Sequence, residues 1–338
     1  MEIQLPTPIS TTPQPVVVGT RYPLIDANGV LRIDNSSLEK FTTCARSAQY
    51  YLIDKRELSG PKPALHFGGL IHLLLELRYR DYPSTLTNEH KMEIIQRAEP
   101  VILKFTERFG TVEGDHRTPA RALDLLIAYL GFYDNEPFSV HLGTDGKPFV
   151  EQYFEIPLGE IEYDSLYQGV HYKTIKVMWT GRIDLAVKTD SGLWVMDHKT
   201  TSMLGSTFFL DFVNSSAAIG YSWALQHIFQ QPVQGLMVNA LAVRKPSRTG
   251  TPTEFERQMV PYSQERIEEW KHNTLILVSD LLSHLDREYF PMETKWCVGK
   301  YGPCPYLDVC TMPPSMRLTI LNSSQYEDVT WSPKDGNN

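Results

Sequence analysis

The sequence predicts a mixed α/β fold: a central mixed sheet flanked by helices, with an N-terminal helical region and a cysteine-rich loop near the C-terminus. Three observations carry this. Segments with helical and strand periodicity follow one another as helices, strands, helix, strands and helix. A hairpin of strand formers gathers three charged residues. Three of the four cysteines fall within fourteen residues.

Taken in order, residues 1–30 are rich in Pro and Thr and read as an extended or mobile leader. Ser36-Ser37-Leu38-Glu39-Lys40-Phe41 has the hydroxyl start and apolar spacing of a capped short helix. Residues 65–80 are helical in pattern, with Leu70, Leu73, Leu74 and Leu77 on one side. Two further helical stretches, 88–109 and 117–133, form a helical insertion at about 80–140. Residues 149–158 alternate as a strand and lead into the hairpin. A helix at 215–229, strands at 233–243 and 254–260, and a long amphipathic helix from Pro261 to about Tyr289 follow. One domain over 31–312 is expected, with a loop at 296–311 and a polar tail at 313–338.

The hairpin is the strongest local signal. Residues 177–188 and 193–199 are rich in Val, Ile, Leu, Met and Trp, and Thr189-Asp190-Ser191-Gly192 between them is a turn. If Lys188 pairs with Leu193, Asp184 faces Asp197. Two carboxylates facing each other in a half-buried setting cost stability unless a cation joins them or one keeps its proton. Lys199, two residues beyond Asp197, returns to the same face. Two acids and an amine converging on a hydrophobic hairpin have the makings of a divalent-metal hydrolytic site, with Mg²⁺ or Mn²⁺ suited to the carboxylates.

The net charge of −8 argues against a protein that coats duplex DNA nonspecifically. Basic groups are local: Arg244, Lys245 and Arg248 form one cluster, and Lys173, Lys176, Arg182 and Lys188 flank the hairpin. No apolar run is long enough to span a bilayer and no secretory signal is visible, so the default expectation is a cytoplasmic, reducing setting without membrane partners. There, clustered thiols point to a metal before a disulfide. Cys297, Cys304 and Cys310 are spaced C-x6-C-x5-C among Gly, Pro and aromatic residues, without the tight knuckles of a zinc site. Four thiolates on wider loops suit an iron–sulfur cube, a 4Fe-4S cluster. If Cys44 completes the set, the cluster ties the N-terminal helix to the C-terminal loop.

These motifs together resemble the PD-(D/E)XK nuclease superfamily, and within it the RecB-like branch that carries an iron–sulfur cluster. That branch includes the CRISPR-associated RecB-like exonucleases, the AddB nuclease domain and phage-encoded relatives. The resemblance is carried by Gly181-Arg182-Ile183-Asp184, by Asp197-His198-Lys199-Thr200, by Ser36-Ser37-Leu38 with Phe41, Cys44 and Arg46, and by the cysteine triplet; it spans residues 34–312.

The resemblance implies a restriction-endonuclease-like fold and a Mg²⁺- or Mn²⁺-dependent deoxyribonuclease. It implies an exonuclease acting on single strands or DNA ends in recombination, repair or phage DNA metabolism. Asp184 and Asp197 would be metal ligands, joined by the His198 backbone carbonyl and by His72, which stands with Glu76 in an H-x-x-x-E pattern on a helix. Lys199 would position the attacking water; Cys44, Cys297, Cys304 and Cys310 would hold the cluster; and Tyr221, Arg182, Arg244 and Lys245 would contact DNA. One departure stands out: Tyr221 is preceded at four residues by Ala217, where the family often has Gln. Two other readings fit the same motifs, a DNA-binding scaffold with little activity and a CRISPR adaptation factor. Partners among recombination or replication proteins are expected only on the strength of the resemblance.

Overall fold

Hydrophobic periodicity becomes a mixed α/β architecture in a computed structural model that describes residues 24–167, 169–245, 254–299, 302–329 and 334. Residues 1–23 of the expected leader, Arg248, and most of 330–338 lie outside the described residues. In chain order the elements are β1 (Val30–Ile33), α1 (Asn35–Thr43), α2 (Ala45–Ala48), a π-helical turn (Gln49–Ile53), β2 (Arg56–Leu58), α3 (Pro63–Asp81), α4 (Asn88–Phe109) and α5 (Pro119–Phe132). Then come β3 (Ser139–Val140), β4 (Val150–Tyr167), β5 (Val170–Thr189), β6 (Gly192–Thr201), α6 (Ser206–Val213), α7 (Ser216–Phe229), β7 (Val233–Ala242), β8 (Phe255–Pro261) and α8 (Gln264–Asp286). The chain ends in a 3₁₀ turn (Thr294–Trp296), β9 (Val298–Gly299), β10 (Gly302–Pro303), α9 (Leu307–Thr311), α10 (Pro314–Leu321) and β11 (Tyr326–Asp328).

The described residues divide into two units; one is drawn from residues 60–157 and 179–273. Its sheet runs β5-β6-β7-β8, antiparallel between β5 and β6, parallel between β6 and β7, and antiparallel again to β8; β3 and β4 also pair with β5. The hairpin register is the expected one, with Lys188 opposite Leu193 and Leu185 opposite Met196. Pro at the start of α3 and α5 and the Thr118 hydroxyl on the Arg121 amide set where those helices begin. Their apolar stripes (Leu70, Ile71 and Leu74 of α3; Leu125, Leu126 and Tyr129 of α5) pack with Ile94 of α4 on Leu185, Val187, Trp194 and Met196 of the hairpin. Each such side chain contributes about 1.5–3 kcal/mol by leaving water. The effect is to press a hydrophobic helical layer onto the strands that carry the charged residues.

The other unit is drawn from residues 24–59, 158–178 and 274–329. It holds the far halves of β4 and β5, which run on well past the strand expected to end near residue 158. Those halves are polar on alternate positions: Glu160, Glu162 and Asp164 are exposed, whereas Tyr163, Ile175 and Val177 are buried. β2 pairs with β11, and Tyr50, Tyr306, Val309, Leu321 and Tyr326 form a small core beside the cysteine loop. Where the sequence suggests a polar tail from residue 313, the structure has α10 and β11, anchored by Leu321 and Tyr326. Among the described residues no helix is long and apolar enough to cross a membrane.

Candidate metal centre

His72 lies on α3, Glu151 at the head of β4 and Asp184 on β5, and their ligand atoms all lie within 4.8 Å of one another. The His72 Nδ1 is 3.1 Å from Glu151 Oε1 and 3.5 Å from Asp184 Oδ2. Its Nε2 is 3.0 Å from the His198 carbonyl oxygen. The carbonyl oxygen only accepts, so Nε2 carries a proton; the Nδ1 proton, facing the two carboxylates, is the one a bound ion would displace, leaving Nδ1 as the ligand atom. Glu151 has φ +49°, a left-handed conformation unusual for a side-chain-bearing residue and held here by the site around it. The Arg182 guanidinium donates to the Glu151 carbonyl at 2.8 Å and Arg80 to the Val150 carbonyl at 3.1 Å, which pins the strand head that aims the carboxylate.

Gly181 explains how β5 fits beneath this group. A Cβ there would stand 2.7 Å from Phe154 Cζ and 3.1 Å from Tyr221 Cε1, so only glycine leaves room for both rings. The G-x-x-D run is therefore a packing device that brings Asp184 close. On β6, Lys199 donates to Asp197 at 2.7 Å. The backbone N–H of His198 donates to Asp184 Oδ2, also at 2.7 Å.

Charge is short on the cation side. Three nearly buried carboxylates, Glu151, Asp184 and Asp197, face His72 and Lys199. Burial pushes the Glu151 and Asp197 carboxyls up, and Asp184 adds repulsion to each. Burial would raise Asp184 too, but His72, His198 and Lys199 outweigh it and hold Asp184 below the usual carboxylate range. Burial opposes protonation of His72, yet Asp184 and Glu151 hold it well above the ordinary imidazole value. Burial likewise opposes the Lys199 charge, and Asp197 and Asp184 overcome it. Crowded carboxylates short of cations, beside an imidazole and open to solvent through a cavity of about 250 Å³, make a donor set that suits Mg²⁺ or Mn²⁺.

The structure thus brings together His72 and Asp184 and adds Glu151, which the sequence reading missed. Its only signal was an acid at the head of the strand before the hairpin, 33 residues from Asp184 in sequence. Asp197 stands outside the compact trio, engaged by Lys199. The His198 carbonyl, expected as a ligand, is in a hydrogen bond with His72. Glu76 is ion-paired with Arg80. Arg182 lines the cavity onto which His72 and Glu151 open, and Tyr221 packs at Gly181 and Phe154. Arg244 and Lys245 line a different and larger open cavity of about 700 Å³ with His116, Arg117 and Ser202, and Arg244 is ion-paired with Glu254 at 2.6 Å.

The four cysteines gather separately. Cys44, Cys297, Cys304 and Cys310, each half-buried, line one cavity of about 40 Å³ with Trp296 and Tyr306. The loop is folded back on itself by the Cys304 N–H donating to the Cys297 carbonyl at 2.8 Å. The Glu293 N–H lies 3.4 Å from Cys44 Sγ. Burial pushes the Cys304 and Cys310 thiols up.

The model of the PD-(D/E)XK nuclease superfamily matches residues 35–311, and the chain belongs to that superfamily. Membership implies a metal-dependent nuclease with phosphodiesterase chemistry and DNA as its substrate. No curated protein is significantly similar to the chain. Among solved structures, the crystal structure of SSO0001 aligns over 72% of this chain and 83% of its own length at 11% identity, with a TM-score of 0.22, a likeness on which nothing is built.

Proposed function

We propose that the protein is a Mg²⁺- or Mn²⁺-dependent deoxyribonuclease of exonuclease type, working on single strands or DNA ends in recombination, repair or phage DNA metabolism. The observation that carries the metal-dependent reading is the convergence of His72 from α3, Glu151 from β4 and Asp184 from β5 beside the Asp197–Lys199 pair of β6. The preference for ends and the setting rest on the resemblance to RecB-like nucleases.

His72, Glu151 and Asp184 would hold the ion, with Asp197 next to them. When bound, such an ion lowers the pKa of water and withdraws charge from the phosphate. The chain's own part is positional. The Lys199 ammonium, 42% exposed, reaches from Asp197 towards solvent, where it can orient a water and offset negative charge on the phosphate. The water oxygen forms the new P–O bond while the bond to the leaving oxygen breaks; one water proton passes to solvent, and the leaving oxygen takes up another. Arg182, Tyr221, Arg244 and Lys245 would contact the strand.

The cysteines would hold a 4Fe-4S cluster. In support, Cys44, Cys297, Cys304 and Cys310 line one cavity, and four thiolates on wide loops without tight knuckles suit a polynuclear iron–sulfur core better than a zinc site.

The test uses anaerobically purified protein with end-labelled linear single- and double-stranded DNA and a covalently closed circle. Metal-dependent degradation of linear DNA with the circle untouched is expected, together with about four irons per chain. Cleavage of the circle would contradict the exonuclease reading, and zinc without iron would contradict the cluster.

A further inference from the structure

Behind the Asp197–Lys199 strand lies a second polar cluster, unused in the chemistry above. Strand register sets His198, Asn239 and Arg257 in one row across β6, β7 and β8. Asn239 is fully buried and His198 is 3% exposed. Arg257 Nε donates to Asn239 Oδ1 at 2.9 Å. A guanidinium cannot accept, so this bond fixes which end of the amide is oxygen. The amide nitrogen then donates to the Tyr129 hydroxyl at 2.9 Å and to His198 Nδ1 at 2.8 Å. His198 Nδ1 must therefore be bare, which places the ring proton on Nε2.

Arg257 is itself clamped. It grips both Glu136 oxygens, donates to the Tyr79 and Tyr129 hydroxyls at 3.0 and 2.8 Å, and lies 3.4 Å over the Tyr133 ring. Tyr79 donates to Glu136 at 2.7 Å and stacks its ring on His198 at 5.7 Å. A buried Arg–Glu pair seldom adds stability over an apolar replacement, and its best attested use is to specify one arrangement. What it specifies here is His198, whose main chain serves the metal centre: its N–H holds Asp184 and its carbonyl holds His72.

We infer that Asn239, oriented by the Arg257–Glu136 pair, is a positioning residue that locks the His198 ring and thereby the peptide that aims Asp184 and His72, so setting the site's affinity for its divalent ion. The inference rests on the metal-centre reading. Partners of this kind behind metal ligands typically change affinity or activity by about 10–100-fold when removed.

The test is calorimetric titration of the full-length, DNA-free protein with Mn²⁺, comparing wild type, Asn239→Leu and Ile94→Ala. Ile94 is buried in the same helical layer, so its truncation controls for lost stability alone. Mn²⁺ dissociation constants should rise about 10–100-fold in Asn239→Leu and stay unchanged in Ile94→Ala. Undiminished Mn²⁺ affinity in Asn239→Leu, or equal weakening in both variants, would overturn the inference alone. A wild type that takes up no Mn²⁺ would overturn the metal-centre reading and this inference with it. Should Asn239→Leu fail to fold, Asn239→Asp keeps the Arg257 contact but loses the donor. In ¹⁵N spectra the His198 proton should then move from Nε2 to Nδ1, with weaker Mn²⁺ binding. A wild-type ring already protonated at Nδ1 would contradict the inference.

Discussion

Replacing Gly181 by alanine tests whether the G-x-x-D run is a packing device. The added Cβ would meet Phe154 Cζ at 2.7 Å and Cε1 at 3.0 Å, and Tyr221 Cε1 at 3.1 Å. Carbon pairs rest best at about 3.5–4.0 Å, so the closest contact is short by about 0.8–1.3 Å. Phe154 is 4% exposed and set edge-on against Tyr221, so it cannot swing clear without moving its neighbours. Overpacking of this kind costs about 1–3 kcal/mol. Stiffening the unfolded chain returns about 0.4–1 kcal/mol, leaving a net loss of about 1–2 kcal/mol. With a urea m-value of about 3 kcal/mol/M, the midpoint should fall by about 0.3–0.7 M. Asp184 lies three residues further along the same strand, so a displacement near 1 Å should lower kcat by about 10²-fold. Phe154→Leu, added to Gly181→Ala, opens the clash and should restore most of both losses. A Gly181→Ala protein that unfolds and cleaves like wild type, or a double variant no better than the single, would refute the packing explanation.

Three further expectations concern other parts of the chain. Lys199→Met strips the cation from Asp197 and should lower kcat by about 10²–10³-fold in a steady-state cleavage assay, with a smaller change in KM; an unchanged kcat would contradict the proposed role. Asp54 is half-buried, but both its carboxylate oxygens are shielded from solvent and neither is hydrogen-bonded, and this burial pushes it up to about 7 despite Arg46 and Arg56. The folded protein therefore keeps a proton that the unfolded chain loses near pH 4, so stability should fall by up to about 4 kcal/mol as pH rises from about 4 to 7 and then level off. Urea melts at pH 5 and 8 should show a smaller difference for Asp54→Asn, and an equal difference would sink the assignment. Cys304→Ser should lower bound iron and make the unit holding α1 and the 296–311 loop more susceptible to proteolysis than α3–α5, because metal-binding energy is folding energy; undiminished iron would count against Cys304 as a ligand.

Much of the fold was legible because its strands and helices bury one face each, and period two or 3.6 then shows in the residues. The hairpin register followed from a turn flanked by strand formers, and the observed pairing of Leu185 with Met196 and Lys188 with Leu193 is the one that reading gives. Glu151 was not legible, because its place depends on a left-handed backbone conformation and on β4 lying against β5. The distal halves of β4 and β5 escaped notice because charged residues there read as loop. The row His198–Asn239–Arg257 was hidden for another reason: each residue is unremarkable in its own strand, and only the alignment of three strands joins them. The sequence points to His198 only through its carbonyl, whereas its ring bonds Asn239 and stacks on Tyr79.

The central claim is that His72, Glu151 and Asp184 form the ion-binding core of a DNA-hydrolysing site. The most direct measurement is cleavage of end-labelled DNA by wild type, Glu151→Gln and Asp184→Asn across a Mn²⁺ series and in EDTA, with Mn²⁺ binding measured on the same preparations. The expected result is cleavage by wild type that EDTA abolishes, and loss of both Mn²⁺ binding and cleavage in each folded variant. Wild-type cleavage in EDTA, or full activity in Asp184→Asn, would contradict it.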